Sequence, residues 1–384
     1  MKTIFRYSIL LLAVPIAAAL FTACDDNELN GDPRIDYIRV TDPASSDSLI
    51  VTAGQGQMVA IMGENLGGAT QLWFNDQKAS LTPTLVTNRS IIARIPTEIP
   101  QTVNNKLTLI FGNGSSLEHD FVLDISEPLV TRMKSEYVNT GETATIYGDF
   151  FYKPITVTFT GGVQAEITDM DDQMIEVEVP EGAQPGPITI SSNFGSTISD
   201  FWFRDNRNII AGFDNTLSSG VWRGPDYIFA ADPVITPVSG KFVRVNRALS
   251  AWPFFELYGG PREGDIGKQA KNIPDEAIIN PAAYSLKFEI NTLESLTGAT
   301  MRLHIGNADN GGLDAARQSS YYTWNVNLNT GGEWQTVSIP FADVYKGFAR
   351  SAEGYSMFIY FHGPNAVKHN FALDNLRVVP NTND

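Results

Sequence analysis

Ten consecutive residues, Ala251-Trp252-Pro253-Phe254-Phe255-Glu256-Leu257-Tyr258-Gly259-Gly260, carry four aromatic rings and fall in the most aromatic half of the chain. Residues 206–384 hold four of the six Trp (222, 252, 324 and 334) and eight of the thirteen Tyr. A β-sandwich core is ordinarily filled by Val, Ile, Leu and Phe, whereas Trp and Tyr add a polar handle that suits a half-wet recognition surface. The chemistry such rings offer is stacking. A pyranose presents an apolar face of C–H groups and a rim of hydroxyls, so it calls for an aromatic plate below and planar hydrogen-bonding side chains at its edge. Trp222, Trp252, Tyr322 and Trp324 are the candidate plates. Glu256, Arg302 and His362 are the candidate edge groups, with Tyr360 in phase with His362. Tyr322 and Trp324 also share phase with Val326 and Leu328, so a place in the core is open to both. Trp334, ahead of a strand in Gly331-Gly332-Glu333-Trp334, reads as a packing residue.

Bond-breaking chemistry finds little support in the same region. Glycoside hydrolysis ordinarily needs two carboxylates at a defined separation. Glu256 with Glu263 or Asp265 could be such a pair, but 259–265 reads as a turn-rich surface loop. Asp169, Asp171 and Asp172 suit a turn capped by their own side chains better than a cation site, and the Asn307 to Asp314 run lacks the bidentate acid of a calcium loop. His304, His362 and His369 lack metal-ligand spacing, and neither a Gly-x-Ser-x-Gly elbow nor a phosphate-cradling glycine loop is present. The expectation is a binding protein with no catalytic residue, cofactor or metal. A glycoside hydrolase or lyase and a protein-binding adhesin are the alternatives.

These candidates need a rigid framework, and the composition indicates strands. With 384 residues, 32 Gly, 21 Pro and 18% charged residues, the chain fits an all-β protein of several domains with many tight turns. After the polar break Arg204-Asp205-Asn206-Arg207-Asn208, strands are expected at 241–247, 254–258, 285–291, 301–305, 321–328, 336–339, 357–362 and 371–379, a count that suits a two-sheet jelly roll over 206–384. Alternation turns Leu286, Phe288, Ile290, Met301, Leu303, Ile305, Met357, Ile359 and Phe361 inward. The opposite phase carries Arg302, His304, Phe358, Tyr360 and His362, with Arg244 and Asn246 from a further strand expected on the same face. The net charge of −16 repels nucleic acid and anionic polymers and fits a neutral partner better.

Ahead of this domain the chain repeats itself. The segment from Ala53 to Leu66 matches that from Thr140 to Phe151, with Gly63 and Gly148, and then Phe74 and Phe159, 85 residues apart; Ile95-Pro96 and Val179-Pro180 follow at 84. Both copies read as short alternating strands separated by Gly, Pro and Asn turns, an immunoglobulin-like sandwich of the smaller kind. Their shared pattern, a glycine before a strand, then Gly63-Glu64-Asn65 or Gly148-Asp149-Phe150, then a strand ending at Phe, resembles the IPT/TIG fold over 33–125 and 127–203. Neither copy brings polar and aromatic groups together, and both read as spacers.

The first residues are those of an exported protein. Lys2 and Arg6 precede the apolar run from Ile9 to Leu20, too short for a comfortable membrane span, so 1–23 reads as a signal peptide whose removal leaves a charge of −18. Leu20-Phe21-Thr22-Ala23-Cys24 resembles a bacterial lipobox, which implies lipidation of Cys24, the sole cysteine. The acidic tether 24–32, with Asp25-Asp26-Asn27-Glu28, is similar to the export signal that sends Bacteroidetes lipoproteins to the outer face of the outer membrane. In the C-terminal domain, Ile210-Ala211-Gly212-Phe213-Asp214-Asn215 and Phe371-Ala372-Leu373-Asp374-Asn375-Leu376-Arg377-Val378 resemble the opening and closing strands of carbohydrate-binding jelly rolls, and Gly220-Val221-Trp222-Arg223-Gly224 and Ser250-Ala251-Trp252-Pro253-Phe254 resemble their aromatic platforms. The whole order resembles the surface glycan-binding lipoproteins of Bacteroidetes polysaccharide-utilisation loci, of the xyloglucan-binding kind. That resemblance implies non-catalytic capture of a β-glucan or other hemicellulose at the cell surface. It also implies a TonB-dependent importer, other surface glycan-binding proteins and a surface endoglycanase as partners.

Overall fold

The computed structural model describes residues 31–42, 44, 47–214, 224–260, 273–307, 321–350 and 355–383. The chain forms two compact units, one ending at Ile125 and one starting at Ser126. In the first, β1 (Arg34–Val40), β3 (Met58–Glu64) and β6 (Ser90–Arg94) make one sheet, and β4 (Ala69–Phe74), β5 (Gln77–Ala79), β7 (Lys106–Phe111) and β8 (Ser116–Asp120) make another. A short parallel pair, β2 (Thr52–Gly54) with β9 (Val122–Asp124), completes the sandwich around a core that includes Ile61, Leu72, Phe74 and Leu109.

The second unit opens with the same plan. Strands β10 (Leu129–Met133), β11 (Thr143–Asp149), β15 (Met174–Glu178) and β14 (Glu166–Met170) form one sheet, and β13 (Val163–Gln164), β12 (Ile155–Phe159), β16 (Gly186–Ser192) and β17 (Gly195–Phe203) the other. The glycines that mark the repeat have one physical cause. A Cβ on Gly63 would lie 2.0 Å from the Arg34 carbonyl oxygen, and one on Gly148 would lie 1.9 Å from that of Leu129. Next to each contact the partner strand bulges, at Ile35/Tyr37 and at Val130/Arg132. Only a residue without a side chain lets the bulged strand approach this closely.

The C-terminal sandwich has a large sheet of β19 (Ile228–Phe229), β20 (Phe242–Leu249), β27 (Val367–Pro380), β22 (Tyr284–Thr292) and β25 (Trp334–Pro340), with β18 (Ile209–Ala211) paired to β27. The opposing sheet runs β21 (Phe254–Gly260), β26 (Tyr355–His362), β23 (Thr300–Asn307), β24 (Tyr322–Asn325). Two short helices, α1 (Asp275–Ile279) and α2 (Phe341–Val344), add Ala277, Ile278, Phe341 and Val344 to the core of this sandwich. The all-β reading is met, and the residues expected to face inward are buried without exception: Leu286, Phe288, Ile290, Met301, Leu303, Ile305, Met357, Ile359 and Phe361. One expectation fails. Arg244 and Asn246 lie on β20 in the large sheet, so they do not share a face with Arg302. Arg244 instead pairs with Asp232 at 3.0 Å and donates to the Val245 carbonyl.

Within this unit the two sandwiches are fastened by buried charge. Arg377 is wholly buried and donates to Glu136 of the preceding sandwich at 2.6 Å and to Glu289 at 2.9 Å. Lys287 reaches the other oxygen of Glu136 at 2.6 Å, while Ser135 and Thr336 donate to Glu289. Backbone contacts cross as well, from the Thr336 amide to the Lys134 carbonyl at 2.9 Å. Tyr137 closes the network, with its ring beside the Arg377 guanidinium and its hydroxyl on the Asp205 carbonyl at 2.7 Å.

Candidate functional site

The outward face of the four-stranded sheet brings together Trp252, Arg302 and His362 of the candidate residues. Strand pairing puts Phe254 opposite His362, and one row further Glu256 opposite Tyr360, which in turn faces Arg302, which faces Thr323. One row thus crosses all four strands, and rows on the same face lie about 7 Å apart along a strand. At the edge of this face sits Trp252, in the turn leading into β21. The residue is 58% exposed and its ring lies 5.5 Å from that of His362, which Phe254, equally exposed, meets edge-on at 6.2 Å.

Trp252 occupies the left-handed region, φ 68°. A bulky side chain there costs on the order of 1–3 kcal/mol and persists only where the surroundings impose it. The constraint is visible. The Trp252 amide donates to the Gly363 carbonyl at 2.8 Å, which ties the turn to the end of β26 and holds the indole at the sheet edge.

A second aromatic group lies toward β24. The Arg302 guanidinium stands 4.8 Å from the ring of Tyr321, which is 39% exposed, and His304 lies 4.7 Å from the same ring. His304 points to the outer side as its phase requires, yet it is buried. Arg302 keeps a half-buried position beside that ring.

Two expected plates are not brought to this face. Tyr322 is opposite Leu303 and Trp324 opposite Met301, and residues facing one another across antiparallel strands share a side. Both are therefore on the inner side, where they are half-buried against the core, and Trp324 meets Phe288 edge-on at 5.6 Å. Burial raises the Tyr322 hydroxyl above its ordinary pKa. Trp222 lies outside the described residues, as does Cys24; the side chains of Glu256 and Tyr360 are also outside them. Two contributors, Phe254 and Tyr321, were not among the expected site residues. Phe254 shares the phase of Glu256, a signal that could have found it. Tyr321 precedes β24, but the strand expected over 321–328 already put it in the phase opposite to Tyr322 and Trp324, a signal that could have found it too. Beneath the face, His369 is packed among Phe255, Phe361 and Phe371, and burial pushes its imidazole down to about 4. It belongs to the core. Among the described residues no group of His, Cys, Asp or Glu could hold a metal ion.

Residues 203–380 match the family model of the surface glycan-binding protein B xyloglucan-binding domain. The part of the chain that is similar to that family is the C-terminal domain. An IPT/TIG domain-containing protein of Bacteroides ovatus is 33% identical over 165 residues, 40% of this chain, and the match spans a third of that protein's length. Among solved structures, the surface glycan-binding protein B of Prevotella bryantii shares the fold over 92% of this chain and 99% of its own, with 24% identity and a TM-score of 0.66.

Proposed function

We propose that this protein binds a neutral polysaccharide without cleaving it, on the outward face that Trp252, Phe254, His362, Arg302 and Tyr321 build. The observation that carries the reading is Trp252, a largely exposed indole held in a costly backbone conformation beside two further rings. An indole that served packing would be buried, and one with no role would not be held at φ 68°. The similarity of residues 203–380 to a xyloglucan-binding family model supports xyloglucan or a related β-glucan as the ligand. The negative net charge suits such an uncharged polymer.

Lipidation at Cys24 would place the domain at the cell surface on the outer membrane. From there it would pass captured glycan to a TonB-dependent importer, beside other surface glycan-binding proteins and a surface endoglycanase. The deciding experiment is affinity electrophoresis through gels containing xyloglucan, mixed-linkage β-glucan or an anionic polysaccharide, followed by an assay for new reducing ends. Retardation by the neutral polymers without new ends is the expected result. Cleavage would make the protein a hydrolase or lyase, and the absence of both would favour a protein-binding adhesin. Protease shaving of intact cells tests the location, which Cys24→Ala should abolish by releasing the protein from the membrane fraction.

A further inference from the structure

We propose that the cleft between the second sandwich and the C-terminal domain is a second saccharide site, one that takes a neutral sugar unit and is separate from the outward sheet face. This rests on the glycan-binding reading above. The cleft has a volume of about 460 Å³ and draws its walls from both sandwiches, with Glu142, Thr143 and Glu176 from one and Asn291 and Trp334 from the other. That volume falls within the range of small-molecule sites. It exists because the buried Arg377 network holds the two sandwiches together.

Asn291 points to a ligand. It is 2% exposed, and its Nδ2 donates to the Gly332 carbonyl at 2.6 Å, but its Oδ1 accepts no hydrogen bond. A buried acceptor without a donor is costly, so the site favours a molecule that brings one. Trp334 supplies the apolar element. Its Nε1 hydrogen is committed to the Thr236 carbonyl at 2.8 Å and Phe242 meets its ring edge-on at 6.1 Å, so the indole is fixed and offers the cleft only carbon surface.

The remaining walls set the sign of the partner. Glu142 and Glu176 are hydrogen-bond acceptors, and the one ammonium present, on Lys134, is paired with Glu333. An anionic ligand would be repelled. Among the described residues, no side-chain group in this cleft could hold a metal ion. An uncharged molecule rich in hydroxyl donors with one apolar face satisfies Asn291, the carboxylates and the indole together, and a pyranose is such a molecule.

The test uses the full mature chain and a xyloglucan heptasaccharide, read by calorimetry and by the indole N–H resonance of Trp334 assigned through Trp334→Phe. Two variants separate the sites. Trp252→Gly removes the outward plate, and Thr143→Arg, at an exposed position, fills the cleft and sets a guanidinium near Glu142 and Glu176. The expected result is that the oligosaccharide moves the Trp334 resonance in wild type and in Trp252→Gly but not in Thr143→Arg, which keeps its outward-face binding and its melting temperature. Should Thr143→Arg prove unstable, Glu142→Lys gives the same reading. Binding that leaves the Trp334 resonance unmoved and disappears wholly in Trp252→Gly would overturn the cleft site and leave the glycan reading intact. If the wild-type chain binds no oligosaccharide at all, the glycan reading fails and takes this proposal with it.

Discussion

Arg377 on the last strand of the C-terminal domain donates to Glu136 of the preceding sandwich at 2.6 Å, and neither residue is open to solvent. A buried charge is tolerated only while its partners are in place. Burial raises the Glu289 carboxyl, and the Arg377 guanidinium acts in the opposite direction. Arg377→Met should therefore cost about 3–5 kcal/mol, because Glu136 and Glu289 are left close together without their shared guanidinium. Urea unfolding of the wild type and the variant measures it. A fragment of residues 206–384 retains Arg377 and Glu289 but loses Glu136, Ser135 and Tyr137, so it should melt well below the intact chain. Equal stability of the fragment would mean that the junction contributes nothing.

Trp324 and Trp252 should respond in opposite ways to truncation. Trp324 packs against Phe288 and the core, so Trp324→Ala should lower stability by about 3 kcal/mol while the protein that remains folded binds glycan normally. Trp252→Ala should weaken binding and leave the fold. Thermal melts run beside affinity gels distinguish the two, and a Trp324→Ala protein that is stable but does not bind would put the site on the wrong side of the sheet.

This pair shows what the sequence could convey. Period-two alternation was enough to bury Met301, Leu303 and Ile305 and to turn Arg302 outward, because both faces of a strand are written into its phase. The same phase set Tyr322 and Trp324 with Val326, and the structure resolves the ambiguity toward the core. Alternation says nothing about which sheet a strand joins, and that is why Arg244 was expected beside Arg302. The Arg377 network was illegible for a related reason: Glu136 and Arg377 are 241 positions apart, and a lone arginine among Leu376 and Val378 carries no sign of its partner. Gly63 and Gly148, by contrast, were legible as landmarks of the repeat, while the backbone constraint and the bulges that demand them came only with the strand pairing.

His369 predicts a response to acid. Its folded pKa, about 4, lies below the ordinary 6.5, so the unfolded chain takes up the proton first. Its contribution to stability is complete above about pH 6.5 and is lost as pH falls from there toward 4. Carboxylates add slopes of their own, so the measurement is a difference. The gap in melting temperature between wild type and His369→Phe should narrow or reverse between pH 7 and pH 4. A gap that stays constant over that range would mean that the imidazole is solvated in the folded protein.

The backbone of Trp252 gives the sharpest test of the outward face. At φ 68° glycine is comfortable and alanine is not, so Trp252→Gly should be more stable than Trp252→Ala by about 1 kcal/mol, the reverse of the usual order. Both variants lose the indole. Removing one plate costs on the order of 1–3 kcal/mol of binding, roughly a fivefold to hundredfold weakening, and the two should be impaired to a similar degree at the outward face. Calorimetric titration and thermal melts of the pair separate conformation from contact. If Trp252→Gly binds as well as wild type, the indole is not a plate. If Ala proves the more stable of the two, the turn has relaxed out of the left-handed conformation, and the strain that singles out this residue is not stored there.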